Sequence, residues 1–176
     1  MTHVRTTGPA GASWRVRRLR ASDAVVYQQL RLEGFERHPR EFRIAPQDEQ
    51  ELLRETVAGR LEGSFVAGAY GGDELVGIAG FTRFEGAKLR HRALLWGMYV
   101  SPAARGGRVG DALIDFLLTE ARTEGIEQMI LTVAAENERA RRLYRRWGFS
   151  AYGTEPRAIK LPDGYLDELL MHSRLV

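Results

Sequence analysis

The chain has 176 residues, 44% hydrophobic and 28% charged, a balance that suits a soluble globular protein rather than a disordered one. It has no cysteine, which excludes disulfides, thiolate catalysis and cysteine-ligated zinc; its four histidines (His3, His38, His91, His172) show no metal-ligand spacing, so no metal site is expected. The net charge is only +3, but positives gather at Arg15, Arg17, Arg18 and Arg20 and again at Arg139, Arg141, Arg142, Arg145 and Arg146, which suits an anionic small molecule, a nucleic acid or a solvated face.

Residues 1–13 lack an apolar core of the kind a signal peptide needs and are expected to form a flexible tail. With no export signal and no apolar run of membrane-spanning length, the cytoplasm is the expected location. Residues 14–176 are expected to form one domain. WRVRRL (14–19) alternates apolar and basic residues, as a strand does, and ASD (21–23) offers helix-capping residues. Ala24, Tyr27, Leu30, Leu32 and Phe35 follow a helical period that His38-Pro39 should end, and a second helix is expected over 48–61. SFVAGAY (64–70) and ELVGIAGFTRF (74–84) flank Gly71-Gly72-Asp73, a hairpin signal, and HRALLWGMYV (91–100) reads as a further strand. An amphipathic helix over 111–124 carries Leu113, Phe116 and Leu117 on one side, with Val109 just ahead of it. QMILTV (128–133) is a short, mostly apolar run, expected to be a strand covered on both faces. A helix over 137–147 stops at Gly148, and FSAYGTE and GYLDELLMHSRL make two last strands around an Asp163-Gly164 turn. The order is β-α-α-β-β-β-α-β-α-β-β, an α/β fold with about seven strands.

Two short stretches bear on chemistry. RGGRVG (105–110) lies between a strand and a helix. The first turn of a helix leaves backbone N–H groups free and adds positive potential, glycines admit close approach, and Arg105 and Arg108 add charge; together these suit a phosphate. Gly110 is followed by Asp111 rather than Lys-Ser/Thr, and G-x-G-x-x-G is not matched, so ATP and NAD are disfavoured. The plain alternative is a glycine-rich turn into a helix. Further on, Asn137, Ala140 and Tyr144 are spaced three and four apart and share a helical stripe. They could line a ligand, or serve as N-cap, packing residue and core aromatic.

In this order and spacing, MYVSPAARGGRVGDALI and NERARRLYRRWGF resemble the two motifs of the GNAT superfamily of N-acetyltransferases, and the similarity extends from WRVRRLRASDA to DELLMHSRL. The resemblance implies a mixed central sheet splayed between the fourth and fifth strands, with acetyl-CoA as cosubstrate and no metal. It implies that the backbone of Arg105, Gly106, Gly107, Arg108, Val109 and Gly110 holds the pyrophosphate. Met98, Tyr99 and Val100 would pair with the pantetheine arm, beside a bulge near Gly97. Asn137 and Ala140 would flank that arm, and Tyr144 would reach the sulfur as general acid. A strand N–H would stabilise the oxygen on which charge develops as an amine attacks. A phenol with an ordinary pKa of about 10 is protonated at neutral pH and can donate to a departing thiolate.

The chain departs from the family pattern at three places. Arg108 stands where glycine is expected, and the positions of two family glutamates read Leu94 and Thr132. No base is carried over; His91, Glu33, Glu168 or a bound water remain as candidates. The acceptor region should fall in 30–46, where Glu33, Glu36 and Glu41 could attract a cationic amine, and in 155–165; arginines of both segments could instead suit a carboxylate. The implied function is acetyl transfer to a primary amine of a small molecule or peptide. The alternative is a non-catalytic acyl-CoA-binding or protein-interaction module, and nucleic-acid binding through 139–146 ranks last. Homodimers are common in the resembled family.

Overall fold

The computed structural model describes residues 4–7 and 13–176. Its elements run β1 (Val4–Thr7), β2 (Ser13–Arg18), α1 (Ala24–Arg37), α2 (Pro46–Gln50), α3 (Arg54–Gly63), β3 (Phe65–Gly71), β4 (Glu74–Arg83), β5 (Arg92–Val100), α4 (Val109–Thr123), β6 (Gln128–Ala134), α5 (Glu138–Arg146), β7 (Ser150–Leu161) and β8 (Gly164–Arg174). All strands belong to one sheet, ordered β1-β2-β3-β4-β5-β6-β8-β7. The seven expected strands are all there, and β1 adds an eighth at the edge, antiparallel to β2. The tail expected over 1–13 lies partly outside the described residues; within it, Val4–Thr7 is this short strand.

The apolar runs of β3 and β4 follow from cover on both faces. Phe65, Ala67 and Ala69 join Leu113, Ile114 and Leu117 of α4 in one core. Val66 and Tyr70 join Tyr27 and Leu30 of α1 and Val57 and Leu61 of α3 in a second core across the sheet. Burial of each Val, Leu, Ile and Phe among these contributes roughly 1.5–3 kcal/mol, so the two cores hold the helices firmly on their faces.

The single helix expected over 48–61 is two helices, α2 and α3. Residues 51–53 break the ladder, and the Gln28 side chain of α1 donates to the Glu49 carbonyl (2.9 Å) and the Leu52 carbonyl (3.3 Å) at the break. A carbonyl freed from a helix needs another donor, and here it comes from a different element. The last strand pair is longer than expected: β7 continues to Leu161, with register shifts between Ala151 and Gly153 and between Glu155 and Ile159.

The decisive irregularity is in β5. This strand runs parallel to β6 for only three pairs, Arg92–Gln128, Ala93–Met129 and Leu94–Ile130. Against β4 the register shifts, so that Trp96 faces Gly80 while Tyr99 faces Ile78. Two residues, Gly97 and Met98, thus oppose Ala79 alone, which is a β-bulge. Gly97 has φ +67°, a left-handed conformation that glycine adopts without steric cost. The extra residue also exchanges faces: Leu95 lies in the α4 core, but Tyr99, four residues on, lies in the α1 core.

Candidate active site

Beyond Leu94 the β5 edge facing β6 has no strand partner, and the two strands diverge around a cavity of about 980 Å³. Met98, Tyr99 and Val100 line one side of it, and Asn137, Ala140 and Tyr144 line the other. Arg105, Gly106, Arg108, Val109 and Gly110 close one end. Eleven of the twelve residues singled out in the sequence therefore meet around one space. The twelfth, Gly107, faces Trp14 instead: its carbonyl accepts a 2.7 Å hydrogen bond from the indole Nε1. A Cβ at Gly107 would sit 2.7 Å from the Trp14 ring, so this glycine allows the loop to pack on β2.

The loop's turn into α4 falls at Arg108, whose φ of +59° puts it in the left-handed region. That geometry is why a glycine suits the position, and why an arginine there carries strain. The Arg108 side chain is 71% exposed, with its Nε 3.9 Å from Asp111. No side chain caps α4, and its first backbone hydrogen bond runs from Ala112 N to Arg108 O, which leaves the N–H groups just ahead of it at the cavity wall. Asp111 ties this end to α5 through Arg146 (3.1 Å) and Trp147 Nε1 (2.9 Å). Arg139, Arg142 and Arg146 also line the cavity, so the open amides sit within a basic wall. Arg105 turns its side chain inward, with Nε donating to the Val100 carbonyl (3.2 Å) and Nη2 2.7 Å from His38 Nε2.

Asn137 caps α5: its side-chain oxygen accepts from Ala140 N at 3.0 Å, the structural role open to it from sequence. It also borders the cavity. Tyr144 is buried and packs edge-on against Phe149 at 5.8 Å. Among the described residues its hydroxyl has no hydrogen-bond partner. Desolvation, with the negative charge of Glu41 adding to it, pushes its pKa far above the ordinary tyrosine value, so the phenol keeps its proton.

The base candidates separate clearly. His91 precedes the three-pair segment, at the closed end of the slot, and does not line the cavity. Glu33 accepts from the Tyr99 hydroxyl (2.9 Å) and from Ser101 (3.4 Å), outside the cavity wall. Burial and the Glu33 carboxylate push the Tyr99 pKa up to about 12. Glu168 does reach the cavity, buried and held by Arg43 Nε at 2.6 Å. Glu41 lines it too, beside His38 at 3.5 Å, whereas Glu36 is exposed on α1 and does not. Leu94 and Thr132 both line the cavity at the divergence.

The far end joins arginines of 30–46, which the sequence offers as partners for a carboxylate, to Arg60, Glu49 and Trp96, which it does not mark. Arg31 of α1 and Arg60 of α3 border the cavity. Both bind Glu49, which is fully buried. Trp96 lies beside them and donates to Thr82 Oγ1 at 2.8 Å. Across the opening, Arg43 bridges Glu155 and Glu168. No local pattern marks these pairs, because their partners are 11 to 125 residues apart. Among the described residues there is no cluster of three or more potential metal ligands, and no helix is long and apolar enough to cross a membrane.

Comparison with known proteins bears on this geometry. Residues 25–149 match the model of the acetyltransferase (GNAT) family. A mycothiol acetyltransferase from Streptomyces scabiei is 29% identical over 133 residues, covering 76% of this chain and 41% of that protein. The chain spans about two fifths of the length of the curated relatives it matches. A GNAT-family acetyltransferase of Streptococcus pneumoniae superposes with a TM-score of 0.81 at 21% identity, covering 92% of this chain and 98% of that one. The yncA protein of Salmonella typhimurium, solved with its cofactor acetyl-CoA, gives 0.78 at 19% identity, covering 93% and 94%.

Proposed function

Because the chain belongs to the acetyltransferase (GNAT) family, we propose that it is an N-acetyltransferase that moves an acetyl group from acetyl-CoA to a primary amine of a small molecule or peptide by direct attack. The observation that carries this reading is the bulged, unpaired edge of β5 opposite the Tyr144 hydroxyl, with a basic glycine loop at one end of the same slot. The residues fit the cosubstrate. An extended arm can pair with the free strand edge at Met98, Tyr99 and Val100 as a third strand would. The open amides at the start of α4, inside the basic wall, suit a pyrophosphate. Arg105, Gly106, Arg108, Val109 and Gly110 border that position, and Gly107 supports it from behind through Trp14.

Acetyl-CoA supplies an activated acyl group. The chain supplies position, a backbone donor and a proton. A β5 N–H near the bulge, free of a strand partner, can be aimed at the carbonyl oxygen as charge develops there. Asn137 and Ala140 flank the arm. Tyr144 holds its proton at neutral pH, because burial disfavours the phenolate, and can hydrogen-bond or protonate the leaving sulfur. For the amine's proton, Glu168 and Glu41 are the carboxylates that reach the cavity, and Glu41 is the less encumbered, because Arg43 holds Glu168.

A ligand panel tests the reading. Acetyl-CoA and CoA should raise the melting temperature, while ATP, NADPH and duplex DNA should not, since only ligands of the folded state stabilise it. Amine-dependent release of CoA thiol should follow. In Tyr144→Phe, kcat should fall by about 10²–10⁴ with CoA affinity retained. Unchanged melting with acetyl-CoA would sink the proposal.

A further inference from the structure

The far end of the cavity carries an unbalanced charge cluster. Arg31 is 4% exposed and Glu49 is 0% exposed. Arg31 Nε and Nη2 donate to the two Glu49 oxygens at 2.9 and 3.1 Å. Arg60 Nη1 donates to the same two oxygens at 2.9 and 3.1 Å. Two guanidinium groups thus share one carboxylate, and neither has another acidic partner among the described residues. One positive charge is left over between Arg31, which is buried, and Arg60, which is 25% exposed and borders the cavity.

The direction in which this charge faces decides what it can do. Arg31 and Arg60 both border the cavity, and Glu49 does not. The carboxylate therefore does not face the opening, whereas both arginines present part of their surface to it. Among the described residues, Arg31 and Arg60 donate hydrogen bonds only to Glu49, and the buried Tyr27 hydroxyl, itself without a hydrogen-bond partner, lies beside Arg60. Arg31 Nη1 lies 3.2 Å from where a Cβ on Gly97 would be, so it reaches the β5 bulge itself. Beside it stand Trp96, Phe35 and Leu94, an apolar wall. Planar guanidinium groups with free donors match a carboxylate better than they match a cation.

We infer that the acceptor amine also carries a carboxylate, which docks on Arg31 and Arg60, so that the substrate class is an apolar amino acid or a close analogue. This rests on the reading of the slot as an acetyl-transfer site. The anion subsite adjoins the bulge where the acyl carbonyl would lie, so amine and carboxylate must be close together in the acceptor, as they are on the α-carbon of an amino acid. Peptide N-termini and simple alkylamines lack that carboxylate.

The test is a binding measurement on the full chain loaded with CoA. L-leucine, L-methionine and L-phenylalanine are titrated calorimetrically beside their C-terminal amides, in wild type, Arg60→Gln and Arg60→Lys. At least one acid should bind about tenfold or more tightly than its amide, the size of one lost charge-assisted hydrogen bond. Arg60→Gln should abolish that preference, and Arg60→Lys should keep part of it. Glu49 retains both bonds from Arg31 in either variant, and CoA affinity reports that the fold survives. The inference is overturned if acids and amides bind alike, if none binds, or if the preference persists in Arg60→Gln. An enzyme that binds CoA and acetylates alkylamines or amides as well as acids would refute this inference and leave the proposed function standing. Failure to bind CoA would remove both.

Discussion

The two ends of the cavity are built in different ways. The end at 105–110 is local: a strand, a short loop and the first turn of α4, consecutive in sequence, present their own backbone. The opposite end is assembled from α1, α2 and α3, whose arginines and glutamate meet only after folding. Backbone donors tolerate much change of side chain, and the first end keeps its loop and open helix start with Arg108 in the left-handed region. Side-chain charges in a buried cluster depend on each partner, so the second end should tolerate little.

Three experiments probe that contrast. The largest effect is expected from Glu49→Leu, which leaves Arg31 and Arg60 without their acceptor. Stability should fall by about 3–5 kcal/mol in urea unfolding, the usual cost of stranding a buried ion. A loss below about 1 kcal/mol would mean that water already satisfies the cluster. At the other end the sign should reverse. Arg108→Gly relieves a left-handed arginine, and part of that gain is offset by the greater freedom of glycine in the unfolded chain. The variant should be more stable by up to about 1 kcal/mol. Its CoA affinity should drop by less than about tenfold, because an exposed charge contributes little. A larger drop would show that this side chain, and not the backbone alone, grips phosphate.

The smallest effect concerns the anchoring of α1, the helix that carries Arg31. The Arg17 guanidinium, hydrogen-bonded to Asp23 at 2.8 Å, lowers that carboxyl below its ordinary value. The carboxyl also accepts from Arg20 N at the start of the helix. A group whose folded pKa is depressed contributes stability above its unfolded value of about 4 and loses that contribution as the pH falls through the folded one. Asp23→Asn should therefore be less stable than wild type at neutral pH, with the gap narrowing below about pH 4. Denaturation midpoints across pH 2–7 would show this, and a constant gap would mean that the ion pair contributes nothing.

The legible and illegible parts of the molecule divide along the same line. The slot's two flanks were readable because a glycine loop before an amphipathic helix, and an Asn-x-x-Ala-x-x-x-Tyr stripe, are contiguous patterns with their own local physics. Asn137 shows the limit of such reading, since capping α5 and bordering the cavity are compatible and the sequence offers them as rivals. The break between α2 and α3 was not readable, because Gln28 supplies the missing donors from another helix. The bulge position was expected near Gly97, but its consequence, Leu95 and Tyr99 lying on opposite faces, appears only once β4 fixes the register.

The sequence by itself determined the α/β order and the place of the glycine loop between a strand and a helix, because short-range periodicity and backbone geometry dictate these; the cover on both faces expected for QMILTV is not met, since Gln128, Ile130 and Thr132 of β6 are only half-buried. Only the tertiary structure decided which charges share a partner and which face the cavity. Glu33, a candidate base by sequence, is occupied by Tyr99, while Arg31, one of several arginines in 30–46, and Arg60, unremarkable in sequence, share Glu49 and border the cavity. The physical reason is that the strength and sign of a buried electrostatic site depend on distance and desolvation among residues far apart in the chain, which no local pattern encodes.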